Sequence, residues 1–301
     1  MAETLNLVNP KDTLSIKYRI DRFPDGQQSM AIENASMEAF KHKGSTITIK
    51  SRLNTFLDLE LIIAATQALR NIGVEKIRLF VPYFIGARSD RRFEYGGVNY
   101  LKQVIAPIIN SHGYEKVLIL DPHSDVLEAV INNFEKSTLD GNLILFALQN
   151  IDNKNDAKKR TVFISPDAGA VKRVYHWAER YEVENFLVGE KVRDIKTGKI
   201  LHSRINGLED FTEDHNFVMI DDICDGGRTF IELAKKIREV HPKANISLVV
   251  THGIFSAGLK PFNGIIDQIY TTNSYRDINS MNEFGMMNER YLHLVKQINV
   301  F

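Results

Sequence analysis

The segment VMIDDICDGGRTF at residues 218–230 places two adjacent acids directly after an apolar run, and a glycine-containing loop directly after the acids. Paired carboxylates either hold a divalent cation such as Mg²⁺ or accept hydrogen bonds from hydroxyl groups. Gly226 and Gly227 lack a Cβ, so the backbone can approach an anion closely and adopt positive φ. The segment therefore indicates a binding site for a polar, anionic ligand.

The residues in and around this segment predict a strand, a loop and a helix. Residues 217–220 are a continuous apolar run, which is typical of a strand buried on both faces of a parallel sheet. Thr229 and Glu232 have the spacing of a capping box, which marks the start of a helix. Ligands in open α/β sheets bind at the carboxyl ends of strands, and the first turn of a helix offers N–H groups to a phosphate. The alternative is an ordinary βα turn with two solvated acids, because short glycine motifs often match by chance.

The composition excludes several classes of protein. The chain has 301 residues, 44% hydrophobic and 25% charged, which suits a globular protein of two domains. Its formal net charge is zero, so nothing indicates a nucleic-acid partner, and no apolar stretch has the length of a membrane span. The single cysteine, Cys224, excludes an internal disulfide and a cysteine-clustered zinc site. We therefore expect a cytoplasmic protein, and no nucleophilic role for Cys224, because no histidine lies beside it in sequence.

Strand-like runs alternate with helical patterns along the whole chain, which favours βαβ units and parallel sheets. The two halves share this rhythm, and each contains a strand that ends in an Asp-rich loop. We therefore predict an α/β protein of two similar domains, residues 1–148 and 149–301, with a polar linker at residues 149–160. The predicted strands cover residues 45–51, 76–84, 116–125, 186–192, 216–220, 246–255 and 268–274, a strand and loop cover residues 161–170, and helices cover residues 57–72 and 99–111.

Five stretches are polar at points where a strand is expected to end. They combine acids with arginines, which suits an anionic substrate and a divalent cation, because arginine forks match phosphate oxygens and Mg²⁺ bridges phosphates while holding few protein carboxylates. The common nucleotide and zinc motifs GxxxxGK[ST], GxGxxG and HExxH are absent from the sequence. The five stretches are FPDGQ at 23–27, PYFIGARSDRR at 82–92, DPHSD at 121–125, SPDAGAVKR at 165–173 and DDICDGGRT at 221–229.

These five stretches, in this order, resemble the motifs of the ribose-phosphate pyrophosphokinases, also called phosphoribosyl pyrophosphate synthetases. FPDGQ resembles the family's F-x-D-G-E, PYFIGARSDRR resembles P-Y-x-x-x-A-R-Q-D-R, and DPHSD resembles D-L-H-A-D. SPDAG resembles S-P-D-x-G, DDICDGGRT resembles D-D-x-x-D-T-[AG]-G-T, and THGIFS at 251–256 also resembles a family segment. The resemblance covers most of the chain. It implies two tandem phosphoribosyltransferase-like domains, each a mainly parallel sheet flanked by helices, usually assembled into dimers and hexamers.

The resemblance also implies a reaction, namely transfer of the β,γ-diphosphate of ATP to the anomeric hydroxyl of ribose 5-phosphate, with Mg²⁺ as cofactor. Asp221 and Asp222 would hold the ribose hydroxyls, and His123 and Asp167 would be the magnesium-site residues. Asp25 and Gln27 would contact the adenine across a subunit boundary. The full set of implied ATP-binding residues is Phe23, Asp25, Gln27, Arg88, Ser89, Asp90, Arg91 and His123, and the set around the 5-phosphate is Asp225, Gly226, Gly227, Arg228 and Thr229.

In the family, a flexible loop supplies cations to the transition state, and the segment EKVRD at 190–194 gives Lys191 and Arg193 for this catalytic role. Diphosphoryl transfer needs mostly positioning and neutralisation of charge, so mobile cations that close over the β-phosphate suit the reaction. Without the resemblance, Lys191 and Arg193 fit a solvated cationic surface better. Because nitrogen is an unusual ligand for Mg²⁺, we expect His123 to act partly through the nucleotide.

The sequence departs from the family pattern in four places. Gln27 stands where the family has glutamate and Ser89 where it has glutamine, both at the nucleotide site. After Arg92 the sequence FEYGGVNYLK lacks the basic segment and the Pro-Ile pair of the family's regulatory anion site, so the resemblance does not extend to control by phosphate and ADP. Gly226 replaces a threonine and Arg228 replaces a glycine, which removes a hydroxyl and adds a guanidinium where the sugar phosphate is expected.

Four functions compete on this evidence. The main one is a diphosphokinase that acts on ribose 5-phosphate, and the second keeps the reaction but takes a larger acceptor such as ADP-ribose, for NAD synthesis or salvage, because Arg228 could pair with a second phosphate. Arg228 could equally point to solvent or pair with Asp225. The third is a phosphoribosyltransferase, which also uses a D-D loop but does not explain the ATP-site stretches. The fourth is a non-catalytic regulator, which retention of Lys191, Arg193, His123 and Asp167 argues against.

Overall fold

The computed structural model describes residues 3–12, 15–33, 46–137, 139–151, 157–193, 200–278 and 289–301. The chain divides into two compact units. One unit is Met1–Thr138 together with Val300–Phe301, and the other is Leu139–Asn299. Each unit has its own sheet and its own buried hydrophobic residues.

The first unit is built on a five-stranded sheet in which every neighbouring pair of strands is parallel. Apolar side chains on these strands are buried, among them Ile47, Ile49 and Leu79, because helices cover the sheet. In sheet order the strands are β1 (Glu3–Asn6), β4 (Thr46–Lys50), β5 (Lys76–Phe80), β6 (Lys116–Leu120) and β7 (Phe134–Ser137).

The helices of the first unit begin where the sequence supplies a start signal. Helix α1 (Phe56–Asn71) has a capping box, since the Thr55 hydroxyl accepts from the Asp58 N–H and the Asp58 carboxylate accepts from the Thr55 N–H. It buries Leu59, Ile62 and Leu69 against the sheet. The helix predicted at 57–72 is thus confirmed. The one predicted at 99–111 is a π-helical turn (Leu101–Ile105) followed by α2 (Ala106–Ser111), and α3 (Val126–Val130) follows β6.

A two-stranded antiparallel hairpin, β2 (Tyr18–Arg22) and β3 (Gln28–Ile32), lies outside the main sheet. Gln28 fastens it to the start of α1, because its side-chain amide donates to the Leu57 carbonyl at 2.9 Å and to the Glu60 carboxylate at 3.1 Å. The side-chain and backbone N–H groups of Gln28 lower the pKa of Glu60 below its ordinary value. The turn between the two strands is therefore held over the first turns of α1.

The second unit is built on a seven-stranded sheet with one antiparallel pair, β10 with β9. All other neighbouring pairs are parallel. In sheet order the strands are β10 (Ile200–Ile205), β9 (Asn185–Arg193), β8 (Thr161–Ser165), β11 (Asn216–Cys224), β12 (Asn245–Gly253), β13 (Gln268–Thr272) and β14 (Val295–Ile298).

Helices cover both faces of this second sheet, and alternate residues of the central strand pack on opposite sides. Phe217 and Met219 of β11 belong to one buried cluster with helix α7 (Arg228–Val240), whereas Val218 and Ile220 belong to another with α6 (Val171–Tyr181) and α4 (Asp140–Ile151). The apolar run at 217–220 is thus confirmed as a strand buried on both faces. The remaining helical segments among the described residues of this unit are α5 (Ala157–Arg160) and the 3₁₀ turns Leu208–Asp210, Lys260–Phe262 and Glu289–Leu294.

The two units separate before the predicted linker. Helix α4 contains residues 149–151 and packs within the second unit, where the Tyr181 hydroxyl donates to the Gly141 carbonyl at 2.7 Å and the Phe146 ring meets Tyr270 edge-on. Residues 152–156 lie outside the described part of the chain. The packing of α4 assigns it to the second unit, and the domain limits 1–148 and 149–301 stay a prediction.

The predicted fold class is confirmed, since each unit is an α/β structure with a mainly parallel sheet flanked by helices. Among the residues that the structure describes, no helix is both long enough and apolar enough to cross a membrane.

Candidate active site

The densest group of predicted site residues lies at the carboxyl end of β11. This strand pairs in parallel with β8 on one side and β12 on the other, so the loops that follow all three strands begin at the same edge of the sheet. The loops carry the stretches SPDAGAVKR, DDICDGGRT and THGIFS. The pairing brings together three motifs that are far apart in the sequence.

Asp221 and Asp222, near the end of β11, are bridged by one guanidinium. Nη1 of Arg173 donates to Oδ1 of Asp222 at 3.1 Å and to Oδ1 of Asp221 at 3.3 Å. The exposed fractions of the side chains are 4% for Asp222 and 19% each for Asp221 and Arg173. The acid pair is thus largely removed from water and holds a fixed cation.

The electrostatics of this pair follow from its burial. Burial raises the pKa of Asp221 well above its ordinary value, and the adjacent Asp222 carboxylate raises it further. Arg173 opposes both effects by favouring the charged form. The Asp222 N–H also donates to Oδ1 of Asp221 at 2.9 Å, which fixes the Asp221 side chain.

The loop after the acids leads into α7 in a way that the sequence did not predict. Helix α7 begins at Arg228 with Gly227 as its N-cap, and no side chain caps it, so the capping box predicted for Thr229 and Glu232 is wrong. Gly227 has φ +77°, which is a left-handed conformation, and a Cβ at this position would overlap the ring of Phe262. The helix start thus presents backbone at a position where a side chain would not fit.

The segment after β12 braces this loop. The Ser256 hydroxyl donates to Oδ1 of Asp225 at 2.5 Å, and the Ser256 N–H donates to the Asp225 carbonyl at 3.2 Å. Phe255 is buried at φ +47° and packs edge-on against Phe262. The loop around Asp225 is therefore held by hydrogen bonds from the THGIFS stretch and by an aromatic pair beneath Gly227.

Cys224 is a structural residue at this edge. It is buried, and burial raises the pKa of its thiol far above the ordinary value, with the charges of Asp221 and Asp225 acting in the same direction. Its carbonyl accepts from the N–H groups of Ile254 and Phe255. A thiol that stays protonated is a poor nucleophile, in agreement with the expectation that Cys224 has no nucleophilic role.

Arg228 and Thr229 form the first turn of α7. The Arg228 side chain is exposed, and among the residues that the structure describes it forms no ion pair or hydrogen bond. Asp225, which the sequence offered as its partner, accepts from Ser256 instead. The guanidinium therefore points into solvent beside the loop.

The SPDAG loop after β8 is organised by the carboxylate of Asp167. Its Oδ1 accepts from the Gly169 N–H at 3.0 Å and from the Ala170 N–H at 3.3 Å, and the Ser165 hydroxyl donates to the Asp167 carbonyl at 2.7 Å. The side chain is half-buried. This loop ends at α6, whose third residue is Arg173.

Lys191 and Arg193 lie on a strand, whereas the resemblance implies a loop. Both belong to β9, where Lys191 pairs in register with Ser203 and Arg193 with Ile200 of β10. Residues 194–199, which connect the two strands, and the side chains of residues 191–193 lie outside the described part of the structure. The catalytic role of Lys191 and Arg193 stays a prediction.

In the first unit, DPHSD follows β6 and contains a strained backbone. Asp121 is buried and has φ +40°, which is uncommon for a residue other than glycine and is often found at functional sites. The His123 side chain is exposed and is therefore accessible to a ligand. These features fit a binding loop, although the ligand role of His123 stays a prediction.

The other ATP-site candidates occupy two turns of the first unit. Gly86 (φ +81°) opens the turn that carries Arg88, Ser89, Asp90 and Arg91, and a Cβ there would meet the Tyr100 ring at 2.8 Å. Phe23, Asp25 and Gln27 lie in the exposed turn of the β2–β3 hairpin, where the Phe23 N–H donates to the Gln27 carbonyl. Each turn exposes polar side chains, and its backbone is held by close packing at Gly86 or by the hydrogen bond between Phe23 and Gln27.

Sequence reasoning missed two residues of the second unit. Arg173 was visible as one of two cations after SPDAG, and Ser256 as part of THGIFS, but neither was named as a site residue. Their partners are 49 and 31 residues away in sequence, so no local pattern connects them.

The described residues contain no group of three or more His, Cys, Asp or Glu side chains placed to hold a metal ion.

Comparison with known proteins agrees with this geometry. Residues 136–271 match the family model for a phosphoribosyl transferase domain. A ribose-phosphate pyrophosphokinase from a Marinomonas species is 28% identical over 221 residues, which span 72% of this chain and 66% of that protein. Its counterpart from Mycoplasma pneumoniae is 26% identical over 262 residues, which span 84% of this chain and 75% of that protein.

A solved structure matches most of the fold. The crystal structure of phosphoribosylpyrophosphate synthetase from Mycobacterium smegmatis superimposes with a TM-score of 0.72 at 17% identity and covers 95% of this chain and 88% of that one. The fold and the second-unit site thus define a protein with tandem phosphoribosyltransferase-like units. Within that class, the resemblance to the ribose-phosphate pyrophosphokinase family is confirmed.

The start of α7 gives a test of the local geometry with a matched control. Gly227→Ala is expected to lower the free energy of unfolding by about 2–5 kcal/mol, because it combines a left-handed backbone with overlap of the Phe262 ring. Gly264→Ala has nearly the same φ, +76°, and no atom within 4 Å, so it should cost only about 1–2 kcal/mol. Denaturant titration measures both. Equal losses would show that Phe262 moves aside freely.

Proposed function

We propose that the chain is an ATP-dependent diphosphokinase. It transfers the β,γ-diphosphate of ATP to the anomeric hydroxyl of ribose 5-phosphate and produces phosphoribosyl pyrophosphate and AMP. The observation that carries the proposal is the end of β11, where an arginine-bridged acid pair is followed at once by a glycine-capped helix start. The names of the sequence relatives support the same reaction.

The acceptor would bind along residues 221–229. The N-terminal N–H groups of α7 and the backbone of Gly226 and Gly227 supply donors for the 5-phosphate, and the helix dipole favours its negative charge. Thr229 adds a hydroxyl in the first turn. Asp221 and Asp222 lie on β11 just before this loop, and their carboxylates supply hydrogen-bond acceptors for the ribose hydroxyls.

ATP would bind through residues of the first unit. The exposed guanidinium groups of Arg88 and Arg91 suit the phosphates, and the turn of Phe23, Asp25 and Gln27 suits the base. Ser89, Asp90 and His123 complete the predicted set. A role for the β2–β3 turn is supported by its rigid attachment to α1 through Gln28.

In the reaction, the anomeric oxygen attacks the β-phosphorus of ATP. The bond from that phosphorus to the oxygen shared with the α-phosphorus breaks, AMP leaves with that oxygen, and the hydroxyl proton passes to solvent. Charge accumulates on the transferred oxygens, and Lys191 and Arg193 are proposed to neutralise it.

Mg²⁺ would reach the site with the phosphates of ATP, where it neutralises charge and orients the diphosphate. Because Mg²⁺ bound to a nucleotide needs only one or two protein carboxylates, a site without a larger acidic cluster suffices. Asp167, half-buried at the open end of β8, has the appropriate oxygen chemistry. His123 would act partly through the nucleotide.

The proposed setting is the cytoplasm, which suits a chain whose single cysteine, Cys224, is a buried thiol. The proposed assembly is a homo-oligomer, a dimer or a hexamer. The proposed partners are ATP and the ribosyl phosphate, without nucleic acid or membrane.

The reaction is tested by incubating the protein with ATP, Mg²⁺ and ribose 5-phosphate and identifying the products by mass and by ³¹P NMR. We expect AMP and a pyrophosphorylated sugar in equal amounts, and ADP as a product would contradict the proposal. Asp222→Asn should raise the KM for ribose 5-phosphate much more than the KM for ATP, because its carboxylate is proposed to accept hydrogen bonds from the ribose hydroxyls.

Lys191→Ala tests the proposed catalytic cation. Turnover should fall by about 100-fold or more while the affinity for ATP stays nearly unchanged, because a charge that acts only on the transition state does not contribute to ground-state binding. Single-turnover kinetics and equilibrium ATP binding measure the two effects. Lys243→Ala, an exposed lysine before β12, is the control and should retain parental turnover. Near-normal turnover of Lys191→Ala would assign Lys191 to a solvated surface.

A second candidate function is favoured by the exposed, unpaired state of Arg228 among the described residues. The backbone donors at the start of α7 already serve one phosphate, so a guanidinium beside them suits an acceptor with a further phosphate, such as ADP-ribose. The reaction would then yield a pyrophosphorylated ADP-ribose.

Arg228→Gln distinguishes the two acceptors. If ADP-ribose is the substrate, loss of a bidentate guanidinium–phosphate contact should raise its KM by about 10- to 100-fold and leave that of ribose 5-phosphate within about twofold. Arg228→Lys keeps the positive charge but loses the two parallel N–H donors of the guanidinium, so its KM for ADP-ribose should lie between those of the parent and Arg228→Gln. If the parent does not use ADP-ribose, or if the variants treat both acceptors alike, the extended acceptor is wrong.

A further inference from the structure

Arg173 has no role in the reaction as proposed, yet it is the cation that contacts both acids of the site. It lies in the first turn of α6, after β8, whereas Asp221 and Asp222 lie on β11. One nitrogen, Nη1, reaches Oδ1 of both carboxylates. The contact joins two neighbouring loops at the open edge of the sheet.

Two adjacent carboxylates that are largely out of water need a positive charge nearby. Coulomb repulsion between them grows as the local dielectric falls, and the raised pKa of Asp221 is a consequence of this burial and repulsion. A divalent metal or a fixed guanidinium can supply the charge. In this protein the guanidinium is already in place.

A guanidinium in this position changes which ligands the acid pair accepts. It repels a second cation at short range, and it occupies the oxygens Oδ1 of both acids, which a metal would share. It does not oppose a neutral hydroxyl group. It also fixes the side-chain orientation of the two carboxylates, together with the Asp222 N–H that donates to Asp221.

We propose that Arg173 is a positioning residue that neutralises and orients Asp221 and Asp222, and so makes the pair a receptor for sugar hydroxyls and not a site for a divalent cation. The sugar-binding part rests on the proposed function, whereas the exclusion of a metal ion does not. Arg173 touches neither phosphate nor sugar in this scheme and acts through the two acids.

The test measures Mn²⁺ binding to the nucleotide-free protein by electron paramagnetic resonance. Arg173→Gln should bind an additional Mn²⁺ compared with the parent, and the addition of Asp222→Asn should abolish that site. Lys172→Gln, which removes the exposed neighbouring cation, should bind Mn²⁺ as the parent does. A merely structural role for Arg173 would not create a metal site.

Arg173→Lys separates charge from geometry and serves if Arg173→Gln does not fold. Its ammonium still repels Mn²⁺, so no additional site should form, but one ammonium is a poorer bridge between two carboxylates. The KM for ribose 5-phosphate should therefore rise by about 10-fold or more while that for ATP stays within about twofold.

Three results would overturn the proposal. One is an Arg173→Gln protein that folds and binds no additional Mn²⁺, and another is an Arg173→Lys protein that gains a site. The third is a parent that already loses a bound Mn²⁺ on Asp222→Asn. Failure of the proposed function would show differently, as no transfer to any ribosyl phosphate, and the Mn²⁺ measurements would still decide the role of Arg173.

Discussion

The parallel pairing of β11 with β8 and β12 is the constraint on which the site depends. Both faces of β11 are buried, so the successive residues 217–220 must be apolar, and the strand turns polar towards its carboxyl end. Since the neighbouring strands run in the same direction, their following loops emerge at that edge as well. The sheet thereby fixes which polar stretches meet, before any contact between their side chains is considered.

Burying a carboxylate at such an edge costs free energy unless a positive charge or a hydrogen-bond donor lies beside it. In the second unit, the loops after both neighbouring strands supply such groups. Arg173 comes from the β8 loop to the acid pair, and the Ser256 hydroxyl comes from the β12 loop to Asp225. Both are hydrogen bonds to carboxylates, which are stronger than hydrogen bonds between neutral groups, and the contacts of Arg173 are also partly buried. A rigid, preorganised loop suits the proposed recognition of a phosphate and a diol.

Backbone conformation has as large a part in the site as the side chains. Gly227 and Phe255 both adopt positive φ, and Phe262 fills the space that a side chain at Gly227 would need. In the first unit, Asp121 has a similar strained conformation at the end of β6. Strained backbone conformations persist only where the surrounding packing enforces them. In both units, such conformations occur in the turns at the strand ends that carry the motifs.

The sequence by itself determined the α/β class, the tandem sheets, the buried central strand and the resemblance to the ribose-phosphate pyrophosphokinases, because hydrophobic periodicity and motif order are local properties of the chain. It did not determine the start of α7, where Thr229 and Glu232 match a capping box but the positive φ of Gly227 begins the helix earlier. The strand predicted at residues 186–192 includes Lys191 but ends before Arg193, since the pairing with β10 that extends β9 to Arg193 is a tertiary contact. Only the tertiary structure assigned Arg173 to Asp221 and Asp222 and Ser256 to Asp225, because these partners are distant in sequence and are brought together by the order of strands in the sheet.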